Sequence, residues 1–126
     1  MIVADSDVLI DFLRGREPMS GRIESELRRG ITTTAISAFE LWAGSSGSAR
    51  KARAIEDLLD SLHILPLDAE DAHEAAEIKR DLERKGKPIG MADCLIAGVC
   101  IRHKATLLTR NREHFSRIAR LMLAQE

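Results

Sequence analysis

The chain has 126 residues, of which 44% are hydrophobic and 31% charged, with 8 glycines and 3 prolines. That size and balance suit one domain over residues 1–126 built on a single core, and they exclude a disordered or low-complexity chain. A formal net charge of -1 excludes coating of nucleic acid through overall charge, and the apolar stretches fall far short of the roughly 20 residues a membrane-spanning helix needs.

The first apolar run, Ile2 to Ala4, reads as a β-strand that ends on Asp5. A short helix from Asp7 to Leu13 stops at Gly15. A second runs from about Pro18 to Arg29, with proline near its start and Gly30 past its end. Ile31 to Ala35 is the second strand. Ser37-Ala38-Phe39-Glu40 then opens a helix that stops near Gly44, and Ser37 and Glu40 have the spacing of a capping box. After the loop Ser45-Ser46-Gly47 an amphipathic helix carries Ile55, Leu58, Leu59 and Leu62 on one side, and His63 to Leu67 forms a short third strand containing Pro66. Asp68 caps a helix that reaches Lys85, in which Ala72, Ala75, Ile78 and Leu82 recur at helical spacing; Gly86 and Pro88 end it. Met91 to His103 is apolar over most of its circumference, which predicts a largely buried helix. Thr106 to Thr109 is the fourth strand, and Arg112 to Leu123 holds a short helix with room for an edge strand. Strands alternating with helices throughout predict βαβ units and a fold of the α/β class with a parallel sheet.

Cys94 and Cys100 lie on the same predicted helix, about 9 Å apart along its axis, too far for a disulfide. They read as reduced core thiols, which suits the cytoplasm. Basic residues cluster at Arg14 with Arg16, Arg50-Lys51 with Arg53, Arg84-Lys85 with Lys87, Arg102 with Lys104, and Arg110 with Arg112. Taken singly, each cluster reads as a solvated helix end, so any contact with RNA is local. Aromatic residues at 3% and the absence of tyrosine argue against a base-stacking platform.

Three acids stand where a predicted strand gives way to a helix: Asp5, Glu40 and Asp93. In an open parallel sheet those positions share the edge at which ligands bind. Each has an ordinary use. Glu40 completes the capping box, Asp5 caps the helix that follows it, and Asp93 complements the positive end of its own helix. Asp93 fits the ordinary use least, because one helical turn places it beside Ile96 and Ala97 on a face committed to the core. Gathered within about 4 Å, each pair of carboxylates repels by roughly 4 kcal/mol at an effective dielectric of 20, more than a cap returns. Such a cluster holds a proton, a basic side chain or a cation, and all-oxygen ligands suit Mg²⁺ or Mn²⁺. The 4 histidines and 2 cysteines show neither HExxH nor CxxC spacing, which argues against a softer metal. A hard cation among acids, with no serine or cysteine paired to histidine, points to hydrolysis of a phosphodiester by metal-activated water.

Met1 to Phe12 (MIVADSDVLIDF), Ser37 to Gly44 (SAFELWAG), Gly90 to Ala97 (GMADCLIA) and Thr106 to Phe115 (TLLTRNREHF) resemble, in order and spacing, the four signature segments of PIN-domain ribonucleases, above all the VapC toxins of bacterial VapBC pairs. The resemblance covers nearly the whole chain. It implies a three-layer α/β/α fold with a parallel sheet of four or five strands, Mg²⁺-dependent cleavage of structured RNA such as tRNA or rRNA, inhibition by a VapB-like antitoxin, and a homodimer. By position it makes Asp5 and Asp93 metal-holding acids and Glu40 the acid that helps hold metal or water. At the fourth segment many relatives carry an acid after Thr-Arg. Here Asn111 stands there, able to orient a water or ligand but adding no charge, which weakens the case for a second metal. The apolar sides of the helices holding Ile23, Leu27, Ile55 and Leu58 are candidates for an antitoxin groove, with core packing the expected use of most of them.

Two other readings remain. Asp5-Ser6-Asp7 after an apolar strand resembles the first motif of haloacid-dehalogenase-type phosphatases, with Asp5 as nucleophile and Asp7 as acid, but no later Gly-Asp-Asp-like motif follows. Alternatively the acids only cap helices and the chain is an α/β interaction module without chemistry.

Overall fold

The computed structural model describes residues 1–125. Strands β1 (Ile2–Ala4), β2 (Thr32–Thr34), β3 (His63–Leu65), β4 (Thr106–Leu108) and β5 (Met122–Leu123) form one sheet in the order β3-β2-β1-β4-β5. Every neighbouring pair is parallel. The helices are α1 (Ser6–Leu13), α2 (Met19–Arg29), α3 (Ala35–Ala43), α4 (Ala49–Asp60), α5 (Ala69–Arg84), α6 (Met91–Arg102) and α7 (Arg112–Phe115).

Alternation along each strand sorts side chains into two cores, one on either face of the sheet. Val3 and Leu107 pack with Ala75, Ile78, Leu82, Ile96 and Val99 of α5 and α6. Their neighbours Ala4 and Leu108 pack with Val8, Leu9, Ile23, Leu41, Ile55 and Leu58 of α1 to α4. The result is the three-layer α/β/α arrangement expected from the sequence, with five strands. Ile23 and Leu58 are spent on this second core, so they offer no groove to a partner. α6 is buried along most of its length, as its uniform apolarity predicts, and both cysteines on it are free thiols. Its Gly98 lies so close to α5 that an added Cβ would stand 2.8 Å from the carbonyl oxygen of Asp71 and 3.0 Å from the amide nitrogen of Ala75.

Several boundaries differ from the sequence reading, for local reasons. α3 starts at Ala35 because Thr34, still extended, caps it by accepting the amide of Ser37 at 3.1 Å. Ser37 is therefore inside the helix and the Ser37–Glu40 capping box does not form. Strand β3 ends at Leu65 because Pro66 has no amide hydrogen for the ladder. Asp68 does cap α5, and its partner in a reciprocal capping box is Asp71.

The register fixes where the strands deliver their next residues. β1 lies between β2 and β4, with Ala4 opposite Thr33 on one side and Leu108 on the other. Asp5 and Thr109 therefore leave the sheet side by side, next to Thr34 at the end of β2, and the amide of Asp5 still donates to the Leu108 carbonyl at 2.9 Å.

Candidate active site

Asp5 is 6% exposed and caps α1. Its Oδ1 accepts the Ser6 amide at 2.8 Å and its Oδ2 accepts the Thr109 hydroxyl at 2.7 Å. The Ser6 hydroxyl donates to Glu40 Oε1 at 3.0 Å, which ties α3 to the end of β1. Freed from the capping box, Glu40 faces this edge from the second turn of its helix rather than folding back on its own backbone. On the other side the Asn111 amide donates to Thr109 Oγ1 at 3.0 Å, and Asn111 Nδ2 donates to Asp93 Oδ2 at 3.3 Å. A continuous run of hydrogen bonds thus links Glu40, Ser6, Asp5, Thr109, Asn111 and Asp93. It contains all four residues singled out from the sequence, Asp5, Glu40, Asp93 and Asn111.

Four further residues of this edge escaped the sequence reading as parts of the site. Ser6 and Thr109 hold the acids apart and in place. His114 Nδ1 lies 3.7 Å from Asp93 Oδ2 and 3.0 Å from Asn111 Nδ2. Asp7, which the sequence suggested only as the acid of a phosphatase, brings a fourth carboxylate: its Oδ2 accepts the Arg110 amide at 3.0 Å, while its Oδ1 is buried with no partner. For Thr109 a signal existed, a polar residue closing the apolar run Thr106-Leu107-Leu108. Ser6 and His114 are defined only by contacts across the fold.

The electrostatics oppose the charges collected here. Burial, then the neighbouring charge of Asp7, and to a lesser extent that of Asp93, push the Asp5 carboxyl up from 3.8 to about 7, against the hydrogen bonds from Thr109 and Ser6. Burial raises Asp7 as well, opposed chiefly by Arg110, and raises Asp93 against the pull of His114. An edge that prefers fewer negative charges than it carries is the environment in which a cation gains most.

As the side chains stand, no three His, Cys, Asp or Glu among the described residues are close enough to hold one ion together. Ser6, Thr109 and Asn111 instead donate to both oxygens of Asp5 and to one oxygen each of Glu40 and Asp93. The donor set still fits a hard cation: every candidate ligand is oxygen, Asp5 and Asp93 feel one another's charge, and one buried carboxylate oxygen of Asp7 lacks any donor.

The sequence profile of the PIN domain matches residues 2–121. Ribonuclease VapC2 of Rickettsia felis is 36% identical over 104 residues, covering 78% of this chain and 78% of that protein. The chain belongs to the PIN-domain family, in its VapC branch. The tRNA(fMet)-specific endonuclease VapC of Shigella flexneri is 27% identical over 121 residues, covering 93% of this chain and 91% of that one. Among solved structures, VapBC2 from Rickettsia felis bound to a promoter DNA fragment superimposes with a TM-score of 0.87 at 28% identity, over 98% of both chains. VapBC-1 from nontypeable Haemophilus influenzae gives 0.85 at 26% identity, over 99% of this chain and 98% of that one. A PIN match that takes in Asp5, Asp7 and the fourth segment together sets aside the phosphatase reading of Asp5-Ser6-Asp7.

Proposed function

We propose that this PIN domain is the ribonuclease toxin of a toxin-antitoxin pair, cutting phosphodiester bonds of structured RNA in the cytoplasm with the help of Mg²⁺ or Mn²⁺. The observation that carries the reading is the run of acids at the carboxyl edge of β1 and β4, Asp5 buried and Asp7, Glu40 and Asp93 half-buried, with Asp5 raised to about 7 by its surroundings. Asp5 and Asp93 are the residues to hold the cation, with Glu40 completing the set. A bound cation supplies a water of lowered pKa and neutralises charge building on the phosphate.

The remaining work falls to the chain itself. Ser6, donating to Glu40, keeps that carboxylate turned toward Asp5, where it can accept a proton from water. Thr109 keeps Asp5 fixed on the opposite side. Asn111, neutral and bonded to Asp93, orients without adding repulsion, which favours one tightly held ion over two. The VapC of Shigella flexneri, named for its action on tRNA(fMet), supports a structured RNA as the substrate class.

A groove of about 520 Å³, lined by Ile10, Leu13, Leu41 and Ile55 with Arg14, Arg50 and Lys51, includes Glu40 in its wall. It suits a VapB-like antitoxin segment with an apolar face and acidic flanks, which would close the site as it binds. Phe39 and Trp42, 66% and 45% exposed and one turn apart on α3, offer an apolar face for a second copy of the chain.

The test is cleavage of a tRNA and rRNA pool by purified protein. Cutting in Mg²⁺ or Mn²⁺ that stops in EDTA, and that is lost in Asp93→Asn, supports the reading. Cutting that persists in EDTA contradicts metal-activated water, and an intact pool in either metal contradicts the nuclease.

A further inference from the structure

Three consecutive residues after β4 each reach a different acid. The Thr109 hydroxyl donates to Asp5, the Arg110 amide to Asp7, and the Asn111 side chain to Asp93. The spacing of the acids therefore depends on how this turn is held. One charged contact anchors it to α1: Arg110 Nε lies 2.8 Å from Asp11 Oδ2. Asp11 stands one helical turn after Asp7, so both face the same turn. Its side chain is 7% exposed, while half of the Arg110 side chain still meets solvent.

Asp11 is a poor choice for stability. It lies among Ile10, Phe12 and Leu13, and its Oδ1 is buried with no partner. Burying a carboxylate with half its acceptors unsatisfied costs more than a half-exposed arginine returns, and an apolar residue there would serve the core better. A single fixed geometry for Arg110 is what the carboxylate provides instead.

We propose that Asp11 and Arg110 form a clamp that positions the turn 109–111, and through it sets the separation of Asp5, Asp7 and Asp93 on which cation binding depends. Asp11 is a positioning residue; it touches neither cation nor RNA. The cation part of this inference rests on the nuclease reading above, whereas the clamp itself does not.

The experiment uses the full chain as wild type, Asp11→Asn, Arg110→Ala, Arg110→Lys and the double variant Asp11→Asn/Arg110→Ala. Two quantities are read: amide hydrogen exchange in the metal-free protein, and half-saturation by Mn²⁺ followed as thermal stabilisation. In Asp11→Asn the amides of Arg110 and Asn111 should exchange at least tenfold faster while those of β1 and β4 are unchanged. Mn²⁺ half-saturation should rise by tenfold or more. Arg110→Ala should match Asp11→Asn, and the double variant should be no worse than either, because both break one contact. Arg110→Lys, which keeps the amide and a charge for Asp11, should recover half-saturation to within about threefold.

Unchanged exchange at Arg110 and Asn111 overturns the clamp whatever the enzyme does. Faster exchange with unaltered Mn²⁺ half-saturation overturns its link to the acids. Wild type that neither binds Mn²⁺ nor cuts RNA overturns the nuclease reading and with it that link, leaving the clamp to stand or fall on exchange.

Discussion

Replacing Asp5 with asparagine should make the metal-free protein more stable at alkaline pH. Asp5 titrates at about 7 in the fold against 3.8 for a free side chain. A carboxyl raised in this way keeps its proton in the native state after the unfolded chain has lost it. Stability therefore falls as pH rises between the two values: the favourable contribution is complete below about 4 and gone above about 7. About three pH units at 1.36 kcal/mol each come to about 4 kcal/mol at pH 8, shrinking to under about 1 kcal/mol at pH 4. Asparagine escapes this penalty but can replace only one of the two hydrogen bonds the carboxylate accepts from Ser6 and Thr109, a loss of about 1 kcal/mol. The net gain is about 2–3 kcal/mol at pH 8, or roughly 10 °C in Tm for a domain of this size, and it should vanish or reverse by pH 4. Scanning calorimetry of both proteins in EDTA at pH 4, 6 and 8 measures it. Adding millimolar Mg²⁺ or Mn²⁺ at pH 8 should then close the gap, because the aspartate protein binds the cation more tightly. An Asp5→Asn protein that is less stable than wild type at pH 8, or a gap that does not change with pH, refutes the electrostatic reasoning.

Two predictions concern the scaffold that holds this edge. Gly98→Ala pushes a methyl group to 2.8 Å from the Asp71 carbonyl oxygen, so α5 and α6 must separate; urea unfolding should show a loss of about 1–3 kcal/mol even though alanine favours the helix by about 1 kcal/mol. A change below about 0.5 kcal/mol would mean the two helices are not held at that distance. Cys100 is fully buried and pushed up to about 12, first by burial and then by Asp5, so a thiol reagent at pH 8 should leave it unlabelled in the native protein and modify both cysteines after unfolding. Rapid native labelling at Cys100 would contradict the packing of α6.

The parts of the fold legible in the sequence were those set by local chemistry. Asp5 follows an apolar triplet, and Asp68 sits where a capping residue must. The uniform apolarity of Met91 to His103 marks α6 as buried. Around Glu40 the local sequence misleads. The Ser37-to-Glu40 spacing suggests a cap, yet three threonines in a row carry the strand only to Thr34, whose hydroxyl begins the helix sooner. That shift is what leaves Glu40 available to Ser6. Ser6 and His114 could not be read as site residues, and Thr109 only as the polar end of its strand. Thr109 is 104 positions from Asp5 in the chain, and Ser6 is 34 from Glu40. Their bonds exist because β1 lies between β2 and β4, a pairing that no local pattern announces. Asp11 stayed hidden for the opposite reason, since an acid within an apolar helix has no sequence signature until its partner arginine is seen.

The most direct measurement is an anomalous difference map from crystals of the wild-type protein grown with Mn²⁺. A peak between Asp5 and Asp93, within coordinating distance of both and with Glu40 turned toward it, is the predicted result. A map without density there, in which Asp5 still bonds to Ser6 and Thr109, and Asp93 to Asn111, would contradict the claim that these acids are gathered for a cation.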